Sequence, residues 1–245
     1  MTKPPVIAAD GRKARVEAMF NNIAPSYDFL NHFLSAGIDR RWRRTLIKNL
    51  SRQPHDHILD VATGTGDLAI GAARLKPKHI AGIDIADEML AIGREKIKRK
   101  RLQTIITLEH GDAEHIPFGD QSFDAAMVAF GVRNFENLDT GLAEMYRVLK
   151  PGGVAYILEF SIPEIFPVKQ IYRLYFRHIL PLMGRLVSKN PSAYTYLPET
   201  VYLFPQGDAF KRIMQNAGFT GISAKKLSFG IATLYEGFRK KSDFV

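Results

Sequence analysis

Residues 58–69, Ile58-Leu59-Asp60-Val61-Ala62-Thr63-Gly64-Thr65-Gly66-Asp67-Leu68-Ala69, combine a short apolar run, two glycines and the beginning of a helical pattern. An apolar run of this length, broken only by Asp60, is typical of a buried strand. Gly64 and Gly66 permit a sharp turn whose backbone lies close to a ligand, because glycine has no Cβ. The free N–H groups at the beginning of the next helix face that turn. The stretch therefore predicts a strand, a ligand-binding turn and a helix.

A second apolar run, Ile80-Ala81-Gly82-Ile83, ends in Asp84. An acid at the end of the second strand of such a unit is placed to accept hydrogen bonds from ribose hydroxyls. The two runs together predict a nucleoside site at the carboxyl edge of a parallel sheet. The spacing Gly64-x-Gly66-x-x-Ala69 also satisfies the dinucleotide fingerprint, so the motif alone is compatible with NAD(P) and with an adenosine-based methyl donor.

Strand and helix patterns alternate along the chain, which predicts a doubly wound, mostly parallel α/β sheet. Residues 12–50 read as helices that lie over the mouth of the site, broken by a loop at 21–28 containing Pro25 and again near Gly37. Asn137 is expected to cap a helix that ends at Lys150-Pro151-Gly152-Gly153. We further expect strands at 80–84, 105–109, 125–130 and 154–160, helices at 87–99 and 206–217, and a closing hairpin formed by 219–229 and 231–239.

The composition excludes several classes of protein. The chain has 245 residues, of which 46% are hydrophobic and 24% charged, as in ordinary globular domains. It contains no cysteine, so disulfides, thiolate metal sites and cysteine nucleophiles are excluded, and its histidines show no metal spacing. The first residues lack the apolar core of a secretory signal, and no uncharged apolar run approaches the ~18 residues that span a bilayer. We therefore expect an intracellular protein that is not integral to a membrane.

The net charge of +9 is compatible with nucleic acid, anionic lipid or an anionic substrate. The basic clusters at 40–44, 96–101 and 169–177 lack the interleaved aromatic residues of RNA-binding modules, so nucleic acid is not the expected partner. Between Pro167 and Pro181 the pattern predicts a helix with a basic stripe that suits the headgroup region of an anionic membrane. Packing of this helix on its own domain or on a partner subunit is the alternative. The stripe is Lys169, Arg173 and Arg177, and the apolar face is Val168, Ile171, Tyr172, Tyr175 and Ile179.

Four motifs occur in an order that resembles class I S-adenosylmethionine-dependent methyltransferases. They are Leu59-Asp60-Val61-Ala62-Thr63-Gly64-Thr65-Gly66, Gly82-Ile83-Asp84, Gly111-Asp112-Ala113 and Arg147-Val148-Leu149-Lys150-Pro151-Gly152-Gly153. The last motif disfavours NAD(P), because dehydrogenase folds do not carry it at that place. Residues 19–31, Phe130-Gly131-Val132-Arg133-Asn134, Tyr196-Leu197-Pro198-Glu199 and Phe204-Pro205 are similar to signatures of the ubiquinone/menaquinone biosynthesis C-methyltransferases.

This resemblance implies one methyltransferase domain with a Rossmann-like sheet of seven strands. Residues 1–50 would form a helical lid, and residues 161–205 a helical insertion for substrate and membrane. The implied cofactor is S-adenosyl-L-methionine, and the first candidate acceptor is demethylmenaquinol. The benzoquinol precursor of ubiquinone, or a small molecule or sterol, is the alternative acceptor. We also expect peripheral contact with the inner face of the membrane and consider a homodimer. A donor-binding scaffold without catalysis and an RNA methyltransferase are the rival interpretations.

The resemblance also assigns the donor site. Thr63, Gly64 and Gly66 would form its turn, Asp84 would bind the ribose, and Asp112 with Ala113 would lie beside the adenine. Tyr27 would cover the donor from the lid. Many relatives have serine before the Phe-Gly pair, and this chain has Ala129, so any contact from that hydroxyl is absent.

Two residues are predicted to act on the acceptor. The ring carbon of a hydroquinone becomes a better nucleophile when a phenol ionises, and a phenol titrates near ~10, so ionisation at pH 7 costs about 4 kcal/mol. Arg133 is the candidate for stabilising the phenolate, and Asn134 for orienting Arg133 or the substrate. A structural salt bridge at a strand end is the alternative for Arg133. A water chain ending on Asp112 is one candidate base, which the sequence leaves open.

Overall fold

The computed structural model describes residues 11–35, 37–175, 177 and 192–241. Its centre is one seven-stranded sheet in the order β3-β2-β1-β4-β5-β7-β6. Strands β1 to β5 run parallel, and β7 is antiparallel to both β5 and β6. The predicted doubly wound sheet and the closing hairpin are confirmed. The strands are β1 His57–Val61, β2 His79–Asp84, β3 Ile106–His110, β4 Phe123–Ala129, β5 Leu149–Phe160, β6 Thr220–Leu227 and β7 Ala232–Phe238.

Helices cover both faces of the sheet. Leu46 and Leu68, from the second and third helices, pack against Ile58 on one face. Leu142 and Phe210, from the fifth and eighth, pack on the other face. The strand order reverses between β1 and β4, and a parallel sheet binds its ligand at such a switch point, outside the carboxyl ends of the strands. The helices are α1 Arg12–Leu34, α2 Ile38–Leu50, α3 Asp67–Ala72, α4 Asp87–Arg99, α5 Leu138–Val148, α6 Val168–Leu174, α7 Ser192–Leu203 and α8 Asp208–Asn216.

The expected loop at 21–28 is wrong, because α1 continues through Pro25. Proline removes one helical hydrogen bond, but tertiary packing overrides such local preferences. Here the helix buries Val16 and Ala24, and Ala24 packs against Met89 of α4. The break near Gly37 is confirmed, since Gly37 adopts a left-handed φ of 72° before α2.

Two further boundaries differ from the sequence prediction. Helix α5 begins at its Asn137 cap, whose side chain accepts a hydrogen bond from the Thr140 N–H at 3.0 Å, but it ends at Val148 rather than at 150–153. Strand β5 begins at Leu149, because Leu149 already pairs with Phe123 of β4.

The insertion departs from the predicted single apolar face. Helix α6 ends at Leu174, and it buries Tyr172 while Ile171 stays exposed. Ile179 and residues 1–10 lie outside the described residues. Within the described ranges, the model contains no helix with the length and hydropathy needed to cross a membrane, and no group of acidic or histidine side chains suited to a metal ion.

Candidate active site

A cavity of about 670 Å³ lies at the carboxyl ends of β1, β2 and β4, beneath α1. The residues Gly64, Asp84, Asp112 and Ala113 line it together, as the sequence predicts, and Tyr27 lines it from α1. The remaining lining residues are Lys13, Val16, Phe20, Ala62, Ile85, Met89, Gly111, Glu114, Ala129, Phe130, Gly131, Asn134, Phe135 and Glu136.

The glycine turn presents backbone to this cavity. Gly64 and Gly66 adopt left-handed φ values of 56° and 76°, which other residues adopt only with strain. The Gly64 N–H donates to Asp84 Oδ2 at 2.8 Å, so the turn is tied to the end of β2. Thr63 does not line the cavity, because its hydroxyl donates to the buried Asp60 at 2.6 Å. Thr63 and Gly66 therefore stabilise the shape of the turn without lining the cavity.

Asp60, near the carboxyl end of β1, is a buried acid that supports the same turn. Its carboxylate accepts hydrogen bonds from the Thr63 hydroxyl and from the Ala69 N–H, the latter at 3.1 Å. Burial raises the pKa of Asp60 to about 7, although both hydrogen bonds favour the ionised form. The strand, the turn and the beginning of α3 are thus joined by one side chain.

Asp84 offers unused acceptor capacity to the cavity. Its Oδ1 accepts from the Ala86 N–H at 2.9 Å, and its Oδ2 accepts from Gly64. A carboxylate has about four lone-pair sites in all, so Asp84 can still accept a hydrogen bond from a ligand. Burial raises the pKa of Asp84, and hydrogen bonds from the backbone N–H groups of Ala86, Gly64 and Ile85 oppose this rise by favouring the ionised form.

Asp112 forms an ion pair that the sequence did not predict. Lys13 Nζ, from α1, donates to Asp112 Oδ2 at 2.6 Å, and the Glu114 N–H donates to Asp112 Oδ1 at 2.9 Å. Burial alone would raise the pKa of Asp112, but these hydrogen bonds and the Lys13 charge outweigh it and leave the pKa below its usual value. No pattern in the sequence connects positions 99 residues apart.

Helix α1 is fastened over the cavity at its other end. Asp28 accepts hydrogen bonds from the Thr65 hydroxyl at 2.6 Å and from Lys96 Nζ at 2.8 Å. Asn21 Oδ1 accepts from the Glu88 N–H at 3.0 Å. These contacts hold Tyr27 in the cavity wall, where burial raises the pKa of its hydroxyl and keeps it neutral.

The cavity fits an adenosine-bearing cofactor. Asp84 lines the cavity with a carboxylate that can accept from a ribose hydroxyl, and the Gly64 backbone borders the same space. A Cβ on Gly131 would lie 2.7 Å from Ala62 Cβ, so glycine at this position lets the two cavity walls approach. Ala129 also lines the cavity and offers it no hydroxyl.

Arg133 lies behind the cavity wall instead of in it. Its Nη1 donates to Glu159 Oε1 at 2.7 Å and to the Phe130 carbonyl oxygen, and its guanidinium lies 5.4 Å from the centre of the Phe160 ring. The Arg133 side chain is 8% exposed and that of Glu159 is 0% exposed. Burial raises the pKa of Glu159, while the Arg133 charge opposes the rise. The alternative considered for Arg133, a salt bridge at a strand end, is therefore present in the structure.

Asn134 does reach the cavity. Its N–H donates to the Gly131 carbonyl at 2.9 Å, which fixes the short 3₁₀ turn Val132–Asn134. Its Oδ1 accepts a hydrogen bond from Tyr196 Oη of α7 at 3.0 Å. Of the two predicted catalytic residues, Asn134 is thus the one that can touch a ligand directly.

A second, wider groove of about 1310 Å³ runs between α2 and α3. Its charged side chains are cations apart from Asp67, which pairs with Lys96. It therefore lacks the nucleoside-binding features of the first cavity. The cations are Arg40, Arg43, Arg44, Lys48, Arg74 and Lys100.

Almost the whole chain is similar in sequence to known methyltransferases. Residues 8–239 match the model of the ubiE/COQ5 methyltransferase family. A demethylmenaquinone methyltransferase of Bacteroides fragilis is 50% identical over 228 residues, covering 92% of this chain and 93% of that protein. A ubiquinone/menaquinone biosynthesis C-methyltransferase UbiE of Geotalea daltonii is 47% identical, covering 91% of this chain and 95% of that protein.

Solved structures share the fold at low identity. The [4+2]-cyclase SpnF has a TM-score of 0.68 at 17% identity, covering 94% of this chain and 97% of that one. A SAM-dependent methyltransferase of Thermotoga maritima, a possible histamine N-methyltransferase, has a TM-score of 0.65 at 19% identity, covering 91% and 99%. A fold that hosts a cyclase and a methyltransferase does not identify the reaction, which must come from the site.

Proposed function

The chain belongs to the ubiE/COQ5 methyltransferase family, and we propose that it transfers the methyl group of S-adenosylmethionine to a ring carbon of a prenylated hydroquinone. Demethylmenaquinol is the first candidate acceptor, since two of the similar proteins, from Bacteroides fragilis and Porphyromonas gingivalis, are demethylmenaquinone methyltransferases. The benzoquinol precursor of ubiquinone is the second candidate, supported by the similarity to UbiE proteins. The observation that carries the proposal is the nucleoside cavity itself, closed on one side by α1.

We assign the donor to the half of the cavity formed by the glycine turn. Asp84 would accept hydrogen bonds from the ribose hydroxyls, and Gly64 would border the donor with its backbone. Ala113 and Asp112 would flank the adenine, with Lys13 holding the Asp112 carboxylate in place. Thr63 and Gly66 would contribute indirectly, by holding the turn.

The donor supplies an electrophilic methyl group, and the protein must align the acceptor and exclude water. Val16, Phe20 and Tyr27 of α1 cover the cavity with apolar surface, which serves the exclusion. The acceptor phenol must be ionised or nearly so at the moment of transfer. Asn134, at the cavity wall, is the polar group we assign to its oxygen.

Arg133 would then act at longer range. It supports the wall from behind, and its charge is largely compensated by Glu159 at 2.7 Å. A compensated charge stabilises a phenolate less than a free one does. We therefore assign Arg133 mainly to positioning the 130–134 segment, through Phe130 and Glu159, with a smaller electrostatic contribution.

A base must also accept the proton that the acceptor phenol loses. Asp112 is a weak candidate, because its ion pair with Lys13 lowers its pKa and occupies one of its oxygens. A carboxylate with a lowered pKa takes up a proton less readily. We assign Asp112 to donor binding and assign loss of the phenol proton to water.

We also propose that the protein contacts the membrane surface through exposed apolar and basic residues. In the described part of the chain, every exposed large apolar side chain lies between residues 165 and 229. Phe166 is 77% exposed, Leu203 82% and Phe229 71%. Ser161 joins the beginning of the insertion to Gly230 and Ile231, next to Phe229. The exposed Arg173 and Arg177 add positive charge to this region, which suits anionic headgroups.

Vesicle binding tests the membrane contact. Charge reversal of Lys169, Arg173 and Arg177 to glutamate should abolish co-sedimentation with vesicles that contain anionic lipid. Reversal of the exposed Lys98, Arg99 and Lys100, at the end of α4 and just after it, is the matched control and should leave most binding intact. Equal losses in the two variants would show that only total charge matters. A homodimer is tested separately by analytical ultracentrifugation.

The proposed reaction is tested with labelled donor. The purified protein is incubated with S-adenosylmethionine carrying a labelled methyl group and with reduced or oxidised demethylmenaquinone in detergent micelles. We expect a methylated product from the reduced acceptor alone, because only the hydroquinone can ionise to a phenolate. Methylation of polar phenols in preference to the quinol would favour a small-molecule enzyme, and salt-sensitive binding of RNA would favour an RNA methyltransferase.

A further inference from the structure

Helix α7 touches the wall of the cavity through Tyr196. The Tyr196 hydroxyl lies 3.0 Å from Asn134 Oδ1, across 62 residues of sequence. Tyr196 belongs to the Tyr196–Glu199 motif, which has no assigned role in donor binding or in methyl transfer. The Tyr196 side chain is partly buried, so this hydrogen bond is not a fully solvated contact.

The contact occupies the oxygen end of the Asn134 amide. An asparagine side chain has an oxygen that accepts and an NH₂ group that donates. When the Tyr196 hydroxyl donates to Oδ1, the NH₂ group remains for the cavity. The rotated amide would turn its oxygen to the cavity and repel the negative charge that develops on the acceptor. A tyrosine hydroxyl can donate or accept, and in the structure it donates to Oδ1, which is the orientation that leaves the NH₂ group for the acceptor.

The backbone around Asn134 is already fixed. The Asn134 N–H is bonded to Gly131, and Arg12 Nη2 of α1 donates to the Arg133 carbonyl at 3.1 Å. These backbone hydrogen bonds leave the side-chain amide of Asn134 able to rotate. The hydrogen bond from Tyr196 therefore restrains the remaining motion of the amide.

We propose that Tyr196 is a positioning residue that holds the Asn134 amide with its NH₂ group towards the phenolate oxygen of the acceptor. This inference rests on the proposed function, because it requires an acceptor whose oxygen becomes negative. It gives the insertion a part in the reaction: α7 orders a group that contacts the substrate. The acceptor, when bound, would complete the hydrogen bonds of the amide.

Tyr196→Phe removes the hydroxyl and keeps the ring. We expect kcat to fall roughly tenfold, the effect of losing one orienting hydrogen bond, while the Kd of S-adenosylmethionine stays within about twofold. The acid limb of the kcat–pH profile should move to higher pH by about half a unit to one unit, because the phenolate is less stabilised. Tyr202→Phe removes a hydroxyl from the same helix at a partly exposed position and is the matched control.

Asn134→Asp tests the same interaction from the other side. Aspartate still accepts from Tyr196, but it offers no N–H to the cavity, so we expect a larger loss of kcat than for Tyr196→Phe. In the double variant, loss of the Tyr196 hydroxyl should add little to the loss caused by Asn134→Asp, because both act through one group. Additive effects on kcat would overturn the inference.

The outcomes separate this inference from the proposed function. Wild-type protein that does not methylate the quinol contradicts the proposed function. Wild-type protein that methylates it, with a Tyr196→Phe variant that keeps its kcat and its pH profile, contradicts the role of Tyr196 alone. A Tyr196→Phe variant with a lower melting temperature and an unchanged pH profile assigns the tyrosine to stability and likewise overturns the inference.

Discussion

The pair formed by Arg133 and Glu159 allows stability to be separated from turnover. Both side chains are buried, and their closest distance is 2.7 Å. Arg133→Met keeps much of the apolar volume but leaves the Glu159 carboxylate buried without its cation. Removing one partner of a buried ion pair typically costs about 3–5 kcal/mol. In a chain of this length that corresponds to a fall in Tm of roughly 6–20 °C.

The double variant Arg133→Met with Glu159→Gln should recover most of that stability. The glutamine oxygen still accepts from the Phe160 N–H, which now donates to Glu159 at 2.8 Å, and no buried charge remains. Recovery should be incomplete, because the guanidinium no longer lies over the Phe160 ring or donates to the Phe130 carbonyl. Stability is measured by urea denaturation, and turnover by single-turnover methyl transfer at a temperature where all variants are folded.

We expect the double variant to regain stability and to remain slow, since Arg133 also orders the segment that carries Asn134. Recovery of both stability and turnover would refute this reasoning and leave Arg133 with a structural role alone. Failure to regain stability would show that the unpaired carboxylate is not the cause of the loss.

Three further predictions concern the donor site. Asp84→Asn should weaken S-adenosylmethionine binding by about 10- to 100-fold in calorimetry, because hydrogen bonds to a charged group contribute about 1.5–3 kcal/mol, and unchanged affinity would remove Asp84 from the ribose site. Asp60 has a pKa of about 7 in the folded protein and about 3.9 in the unfolded chain. Between these pH values the folded state binds more protons than the unfolded state, so the stability that Asp60 contributes is lost as the pH rises through 7. Urea denaturation of wild type should therefore show a loss of about 3 kcal/mol between pH 5 and pH 8 relative to Asp60→Asn, and parallel pH curves would contradict this. Asp28→Asn removes the charge that Lys96 contacts and should speed donor release by about fivefold in stopped-flow measurements at low salt, with a smaller difference at high salt.

Local patterns predicted the parts of the fold that depend on local chemistry. The glycine turn, the acid at the end of β2 and the Asn137 cap each follow from a residue type at a fixed place in a short segment. The apolar run 154–160 predicted a buried strand, and β5 contains it. Helix α1 was divided wrongly at Pro25, because the packing of Val16 and Ala24 decides that helix more than the proline does.

Long-range partners could not be predicted in the same way. Lys13, Asp28 and Tyr196 reach the site from 99, 37 and 62 residues away along the chain, where no spacing rule applies. One signal was present for Arg133, since Glu159 is an acid inside the otherwise apolar run 154–160. A buried acid requires a partner, and arginine is a common one. The sequence did not indicate that the partner would be the predicted catalytic residue.

The central claim is transfer of a methyl group to carbon on a reduced, prenylated ring. The most direct measurement uses S-adenosylmethionine with a ¹³C-labelled methyl group and offers the protein demethylmenaquinol and the benzoquinol precursor of ubiquinone side by side. We expect a ring-bound methyl carbon in the NMR spectrum of at least one product, with the faster reaction on demethylmenaquinol. A methoxy carbon, or no transfer to either quinol while the donor still binds, would contradict the claim.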